Sequence, residues 1–280
     1  GGTDIDGFSN SHADGGKVVS LALDKYIYVI VNRRFDNKVR ISYSALEIVD
    51  DFENINHELV REAMRITGVT SGVEITTIAD IPSRGTGLGS SSTVTVGLLN
   101  ALHKFSGHDA SPEQLAEEAC RIEIDILGQP IGRQDQYAAA FGGINSISFG
   151  SDGVSVNPLD ISCKSDISDQ FTLVFTGLSR SASEVLEEEP DNPDDKLSRM
   201  RKIRSQADLA EQYLNASDLY KLGLLIGEAW ETKRGISSGI TGTEIDLLHQ
   251  EIMSIGASGA KLLGAGGGGF FLVHGTPSFR

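Results

Sequence analysis

The sequence has 280 residues, 39% hydrophobic and 22% charged, which is enough apolar material for one large domain or two medium ones. Acidic residues outnumber basic ones by 39 to 24, giving a net charge of -15. That excludes nucleic acid as the expected partner, because a phosphate backbone requires a basic surface. The sequence offers no signal peptide and no apolar run of about 18 residues, so no membrane partner is expected. Cys120 and Cys163 have no nearby Cys or His in the sequence, so a metal site is disfavoured and a reduced, cytoplasmic setting is the simple expectation.

The chain opens on Gly1-Gly2-Thr3-Asp4, a turn or a hydroxyl-binding pair. Residues 18–31 are rich in β-branched and aromatic side chains and predict a strand or a strand pair. Residues 39–43 alternate like a strand. Residues 56–67 carry helical spacing at Leu59, Ala63 and Ile66, with Gly68 as the stop. A strand over 73–78 runs into a glycine/serine loop, and an apolar helix is expected over 93–105. Ser111-Pro112-Glu113-Gln114 is a capping signature, and the helix it opens carries the stripe Leu115, Ala119, Ile122, Ile126. Short strands and turns are expected over 143–156, and a domain boundary near 157–168. The second half reads as a strand at 171–175, an acidic loop over 187–195, helices over 196–214, 217–234 and 243–255, and a closing strand at 270–273. Strands and helices mix without regular alternation, which predicts an α+β fold.

Chemistry concentrates in a few segments. Gly85-Thr86-Gly87-Leu88-Gly89-Ser90-Ser91-Ser92 lies between a strand and a helix, which is the geometry of an anion site: glycines let the backbone close on phosphate oxygens, and a helix N-terminus offers unpaired N–H groups. No Gly-Lys-Ser/Thr follows, so it is not a Walker A loop. Gly264-Ala265-Gly266-Gly267-Gly268-Gly269 contains a formal dinucleotide fingerprint but leads into a strand instead of a helix. Close backbone packing beside the first loop is the better reading. Asp135, ahead of a small apolar run, is either a helix N-cap or a carboxylate able to orient or deprotonate a hydroxyl. Glu123 borders its helix's buried stripe and needs a partner, either an arginine or Mg²⁺. Lys233 continues the stripe Leu219, Leu222, Ile226, Ala229, so it turns inward, either to a substrate anion or to cap its own helix.

Three ordered signatures, Gly1-Gly2-Thr3-Asp4, Gly87-Leu88-Gly89-Ser90-Ser91 and Gly264 to Gly269, resemble those of the GHMP kinases. The stretches 134–143, 175–182, 228–234 and 259–266 are most similar to bacterial D-glycero-D-manno-heptose 7-phosphate kinases within that family. The resemblance implies a GHMP kinase fold, with a ribosomal protein S5 domain 2-like N-terminal domain over 1–165 and a ferredoxin-like C-terminal domain over 166–280. It implies ATP and Mg²⁺, with Gly85 to Ser92 around the phosphates, Ser91 and Glu123 as metal ligands and Asp135 as the catalytic carboxylate. Asp4, Arg180 and Lys233 then fall on the side of the substrate, a small sugar or sugar phosphate phosphorylated on its anomeric hydroxyl. Fucose- or galactose-type kinases, or a non-catalytic sensor on the same fold, are the alternatives, and a homodimer is compatible with the resemblance.

Overall fold

The computed structural model describes residues 3–81, 85–179, 185 and 193–275. Arg180 and the first two residues of the Gly-Gly-Thr-Asp signature therefore lie outside the described residues, as does most of the acidic loop.

A one-turn helix α1 (Asp6–Ser9) precedes β1 (Gly16–Leu21) and β2 (Ile27–Arg33). The apolar run at 18–31 is thus two strands, and they belong to different sheets. Next come β3 (Val39–Ser42), β4 (Leu46–Val49), α2 (Glu58–Thr67) and β5 (Val73–Ala79). Gly68 ends α2 in the left-handed conformation, the stop expected of it. β2, β5, β3 and β4 form one sheet in that order, with β3 and β5 parallel and the other neighbours antiparallel. Its inner face presents Val39, Ile41, Val73 and Ile75, all almost fully buried, to Leu98, Leu99 and Leu102 of α3 (Ser90–Ser106) and to Val60 and Met64 of α2.

After α3 come α4 (Pro112–Cys120), a π-helical turn (Arg121–Ile126), α5 (Gln134–Phe141), β6 (Ile144–Gly150) and β7 (Gly153–Pro158). The Ser111 hydroxyl accepts from the Gln114 N–H, so the capping signature forms as read. β1 returns here, pairing antiparallel with β6, which also pairs with β7. α6 (Lys164–Gln170) leads to β8 (Phe171–Phe175), and α7 (Pro193–Asn215), α8 (Leu219–Arg234), α9 (Thr243–Ser254), β9 (Gly259–Leu262) and β10 (Phe270–His274) complete the chain. β10 sits between β8 and β9, antiparallel to both.

A second core gathers Trp230, Phe271, Leu262 and Val273, with the Trp230 and Phe271 rings edge-on at 5.7 Å. Lys17 of β1 ties the two halves together: its ammonium meets Asp208 at 2.8 Å and Glu211 at 2.5 Å on α7, and Glu211 also accepts from Ser146 of β6. Among the described residues, no helix is long and apolar enough to cross a membrane.

Candidate active site

The loop takes its shape from its glycines. Gly85, Gly87 and Gly89 have φ near +70°, a left-handed conformation that side chains with a Cβ rarely adopt. Alternating these glycines with Thr86 and Leu88 makes a tight coil that delivers the chain to α3. Thr86 is buried, and its hydroxyl shares a 3.0 Å hydrogen bond with that of Ser90. α3 begins at Ser90, three residues earlier than periodicity suggests, because all three serines are helical. Its N-cap is Gly89, which makes no side-chain cap hydrogen bond, and such a helix end has the N–H groups and dipole that favour an anion.

Glu123 is fully buried and faces that helix end from the π-helical turn. Its carboxylate accepts from Ser91 Oγ at 3.2 Å, Ser92 Oγ at 2.7 Å, Thr95 Oγ1 at 3.0 Å and Gln136 Nε2 at 2.5 Å. Among the described residues, the partner it requires is thus a set of hydroxyls and an amide, with no arginine. Thr95 and Gln136 were given no role from the sequence. Thr95 lies one turn after Ser91, the spacing at which helical side chains share a face.

Asp135 is the second residue of α5, whose N-cap is Arg133, so the N-cap reading of Asp135 does not hold. Its carboxyl lies against the loop: a Cβ at Gly89 would fall 3.2 Å from Asp135 Cγ and 3.4 Å from Oδ2. Burial, then the negative charges of Asp4 and Glu123, push the Asp135 carboxyl up to about 6. Asp4 is buried, and its Oδ2 accepts from the Gln134 N–H at 3.0 Å. Gly132 passes so close that a Cβ there would sit 2.0 Å from that oxygen. Thr3 fixes this segment by exchanging hydrogen bonds with the Lys17 backbone. Asp4, Glu123, Asp135 and the α3 N-terminus are therefore gathered from four separate stretches of chain.

The second glycine segment packs on the first, backbone to backbone. A Cβ at Gly87 would meet Leu263 O at 2.9 Å, one at Gly264 would meet Gly87 Cα at 2.5 Å, and one at Gly269 would meet Thr86 O at 2.3 Å. Close packing is therefore the role of these glycines, and the element that directly follows them is a strand, β10. Lys233 is buried beneath this turn, its ammonium donating to Leu262 O at 3.2 Å and to Gly264 O. It reaches neither the end of its own helix nor, among the described residues, a carboxylate.

Fold, loop and carboxylates together define a phosphotransferase class, and the family models agree. Residues 54–143 match the GHMP kinases N terminal domain and residues 210–276 the GHMP kinases C terminal. The chain belongs to the GHMP kinases, a family that uses ATP as phosphate donor. Its particular relatives include the D-glycero-alpha-D-manno-heptose 7-phosphate kinase of Campylobacter jejuni, 30% identical over 99% of this chain and 86% of that protein. The bifunctional fucokinase/GDP-fucose pyrophosphorylase of Arabidopsis thaliana is also 30% identical, over 81% of this chain and 23% of its own. Among solved structures, a D-glycero-D-manno-heptose 1-phosphate kinase from Bacteroides thetaiotaomicron superposes with a TM-score of 0.81 at 24% identity, covering 99% of this chain and 85% of that one.

Proposed function

We propose that this kinase transfers the γ-phosphoryl group of ATP to the anomeric hydroxyl of D-glycero-D-manno-heptose 7-phosphate. The observation that carries the reading is the placement of the Asp135 carboxyl against Gly89, where the phosphate loop enters α3. The 30% identity to a heptose 7-phosphate kinase along nearly the whole chain supports the acceptor. The similarity to a fucokinase keeps a free sugar as the second reading.

The loop N–H groups and the α3 N-terminus bind the phosphates and draw off their charge. Asp135 holds the acceptor hydroxyl in line and takes its proton as the oxygen bonds to the γ-phosphorus. The bond from that phosphorus to the β–γ bridging oxygen breaks, and ADP leaves. Asp4, which also seats the first turn of α5, is proposed to orient sugar hydroxyls, and Arg180 to contact the acceptor's phosphate. Glu123 and Ser91 are the proposed holders of Mg²⁺. Glu123 and Ser91 present hard oxygens, and beside them Gln136 Oε1 is buried and unpartnered among the described residues. Among the described residues no cluster of three or more acidic, His or Cys side chains could hold an ion unaided, which suits a cation that ordinarily keeps water and phosphate ligands. When bound, Mg²⁺ supplies charge neutralisation of the β- and γ-phosphates. Residues 1–165 are the proposed nucleotide-binding domain and 166–280 its partner, in a cytoplasmic enzyme that is a candidate homodimer.

The test is ADP release with ATP, Mg²⁺ and a panel of acceptors: heptose 7-phosphate, fucose, galactose and mevalonate. Turnover only with the heptose phosphate, and a new anomeric phosphate by phosphorus NMR, is the expected result. Asp135→Asn should fold and lose roughly 10²–10⁴-fold in kcat, the usual contribution of a positioned general base. Near-wild-type turnover by that variant would remove Asp135 from the mechanism.

A further inference from the structure

Lys233 is an odd residue to bury. It is the penultimate residue of α8 and only 5% exposed. No carboxylate pairs with it among the described residues, although the chain as a whole is strongly acidic. A buried ammonium without a counter-charge is costly, so the groups it does touch identify its use. Those groups are the carbonyls of Leu262 and Gly264, at the end of β9 and the start of the glycine turn.

That turn is the floor of the nucleotide loop. Gly264 lies against Gly87 so closely that neither could carry a side chain, and Leu263 O faces Gly87 from the same stretch. Elsewhere the turn is held by backbone hydrogen bonds, Gly267 N–H to Ile240 O and Gly269 N–H to Leu178 O, both at 2.9 Å. Gly269 meets Thr86 of the loop, and Leu263 N–H bonds Phe270 O at 2.9 Å. Lys233 adds a side-chain grip on the carbonyls either side of Leu263, the stretch that meets Gly87. The helix is placed to deliver it, because Gly223 and Gly227 of α8 lie directly on Gly259 of β9: a Cβ at Gly259 would sit 1.9 Å from Gly223 O. Burial, reinforced by Lys261, pulls the Lys233 ammonium down to about 7. A neutral amine still has two N–H groups for two carbonyls, so the grip holds in either protonation state.

We infer that Lys233 is a positioning residue for the nucleotide loop, fixing the Leu262–Gly264 backbone as the surface on which Gly87 rests. It governs nucleotide affinity without touching nucleotide. The inference rests on the proposed role of residues 85–92.

The experiment compares wild type, Lys233→Met, Gly264→Ala and the double variant. ATP binding is measured by calorimetry, steady-state KM for ATP and for the sugar acceptor separately, and folding by circular dichroism and thermal melting. Gly264→Ala attacks the same contact from its other side and serves if Lys233→Met does not fold. Each single variant is expected to bind ATP at least fivefold more weakly while the acceptor KM stays within twofold. The double variant should be no weaker than the worse single, because the two share one contact. A folded Lys233→Met with ATP affinity within twofold of wild type overturns the inference. So does a shift confined to the acceptor KM, which would place Lys233 on the substrate, and so do additive losses in the double variant. If wild type itself binds no ATP, the kinase reading fails, and the inference goes with it. An unchanged Lys233→Met beside an ATP-binding wild type sinks the inference alone.

Discussion

Asp135, the proposed base, sits in surroundings that oppose its charge. Its carboxyl is pushed up to about 6, against roughly 3.9 for an unperturbed aspartate. In activity this sets the acid limb: the deprotonated form dominates only above that value, so log kcat/KM should rise with pH and level off, with an apparent pKa near 6 in the free enzyme. In stability the sign is opposite. Between about pH 4 and 6 the folded protein holds a proton that the unfolded chain has released, so this group's contribution to stability falls as pH rises through that window. Asp135→Asn should therefore be at least as stable as wild type at pH 8, by at most about 3 kcal/mol for a two-unit shift, as read from urea denaturation. Its small apolar neighbours left Asp135 open between a helix N-cap and a working carboxylate, and the start of α5 at Gln134 removes the first. What surrounds it was not legible, because Asp4 and Glu123 come from distant stretches. Glu123 shows the same limit: its burial followed from its place beside a stripe, but its hydroxyl and amide partners sit on α3 and α5.

The elements that present these residues were largely readable where local chemistry decides. The Ser111 cap formed because a hydroxyl can reach the N–H three residues on whatever the rest of the chain does. Ser111→Ala should cost about 1 kcal/mol of stability, by denaturant titration, and leave ATP affinity unchanged. Readability ended where the helix stops being regular. A 3.6-residue period puts Ile126 in line with Leu115, Ala119 and Ile122, yet Ile126 is 43% exposed and Leu127 packs on the core instead. The π-helical turn adds one residue to that round, closed by the Leu127 N–H to Ile122 O bond, and passes the inward position along by one. Such turns recur at functional sites, and this one carries Glu123. β4 and β9 carry no strand reading of their own in the sequence, and both are held by their neighbours in the sheet.

Sheet membership is a property of the whole molecule, so residues 18–31 read as a strand or a strand pair with nothing to show that β1 and β2 belong to separate sheets. The link from Lys17 to α7 is also invisible locally, since its partners lie some 190 residues away. Asp208, despite the upward push of burial, is held low by Lys17 and Arg204, Glu211 is held low chiefly by Lys17, and Lys17, despite burial, is raised by both carboxylates. These shifts stabilise the fold above the carboxylates' unfolded values near 4 and below the lysine's near 10.4, and the contribution disappears as acid protonates the carboxylates. Lys17→Met should lose about 1–2 kcal/mol at pH 7, between the exposed and buried limits for an ion pair. The gap should shrink progressively as pH falls below the carboxylates' unfolded values near 4.

The seam between Gly87 and Gly264 also has a consequence in time. A chain emerging from the ribosome folds its earlier segments first, at about 5–20 residues per second. The strand, loop and helix over 73–106 are complete long before residues 259–269 exist to lie beneath them. For that interval the loop has its glycines but not the backbone that shapes it. Nucleotide affinity should therefore appear late and abruptly in the life of each molecule, as a sign that synthesis has passed the final glycine turn.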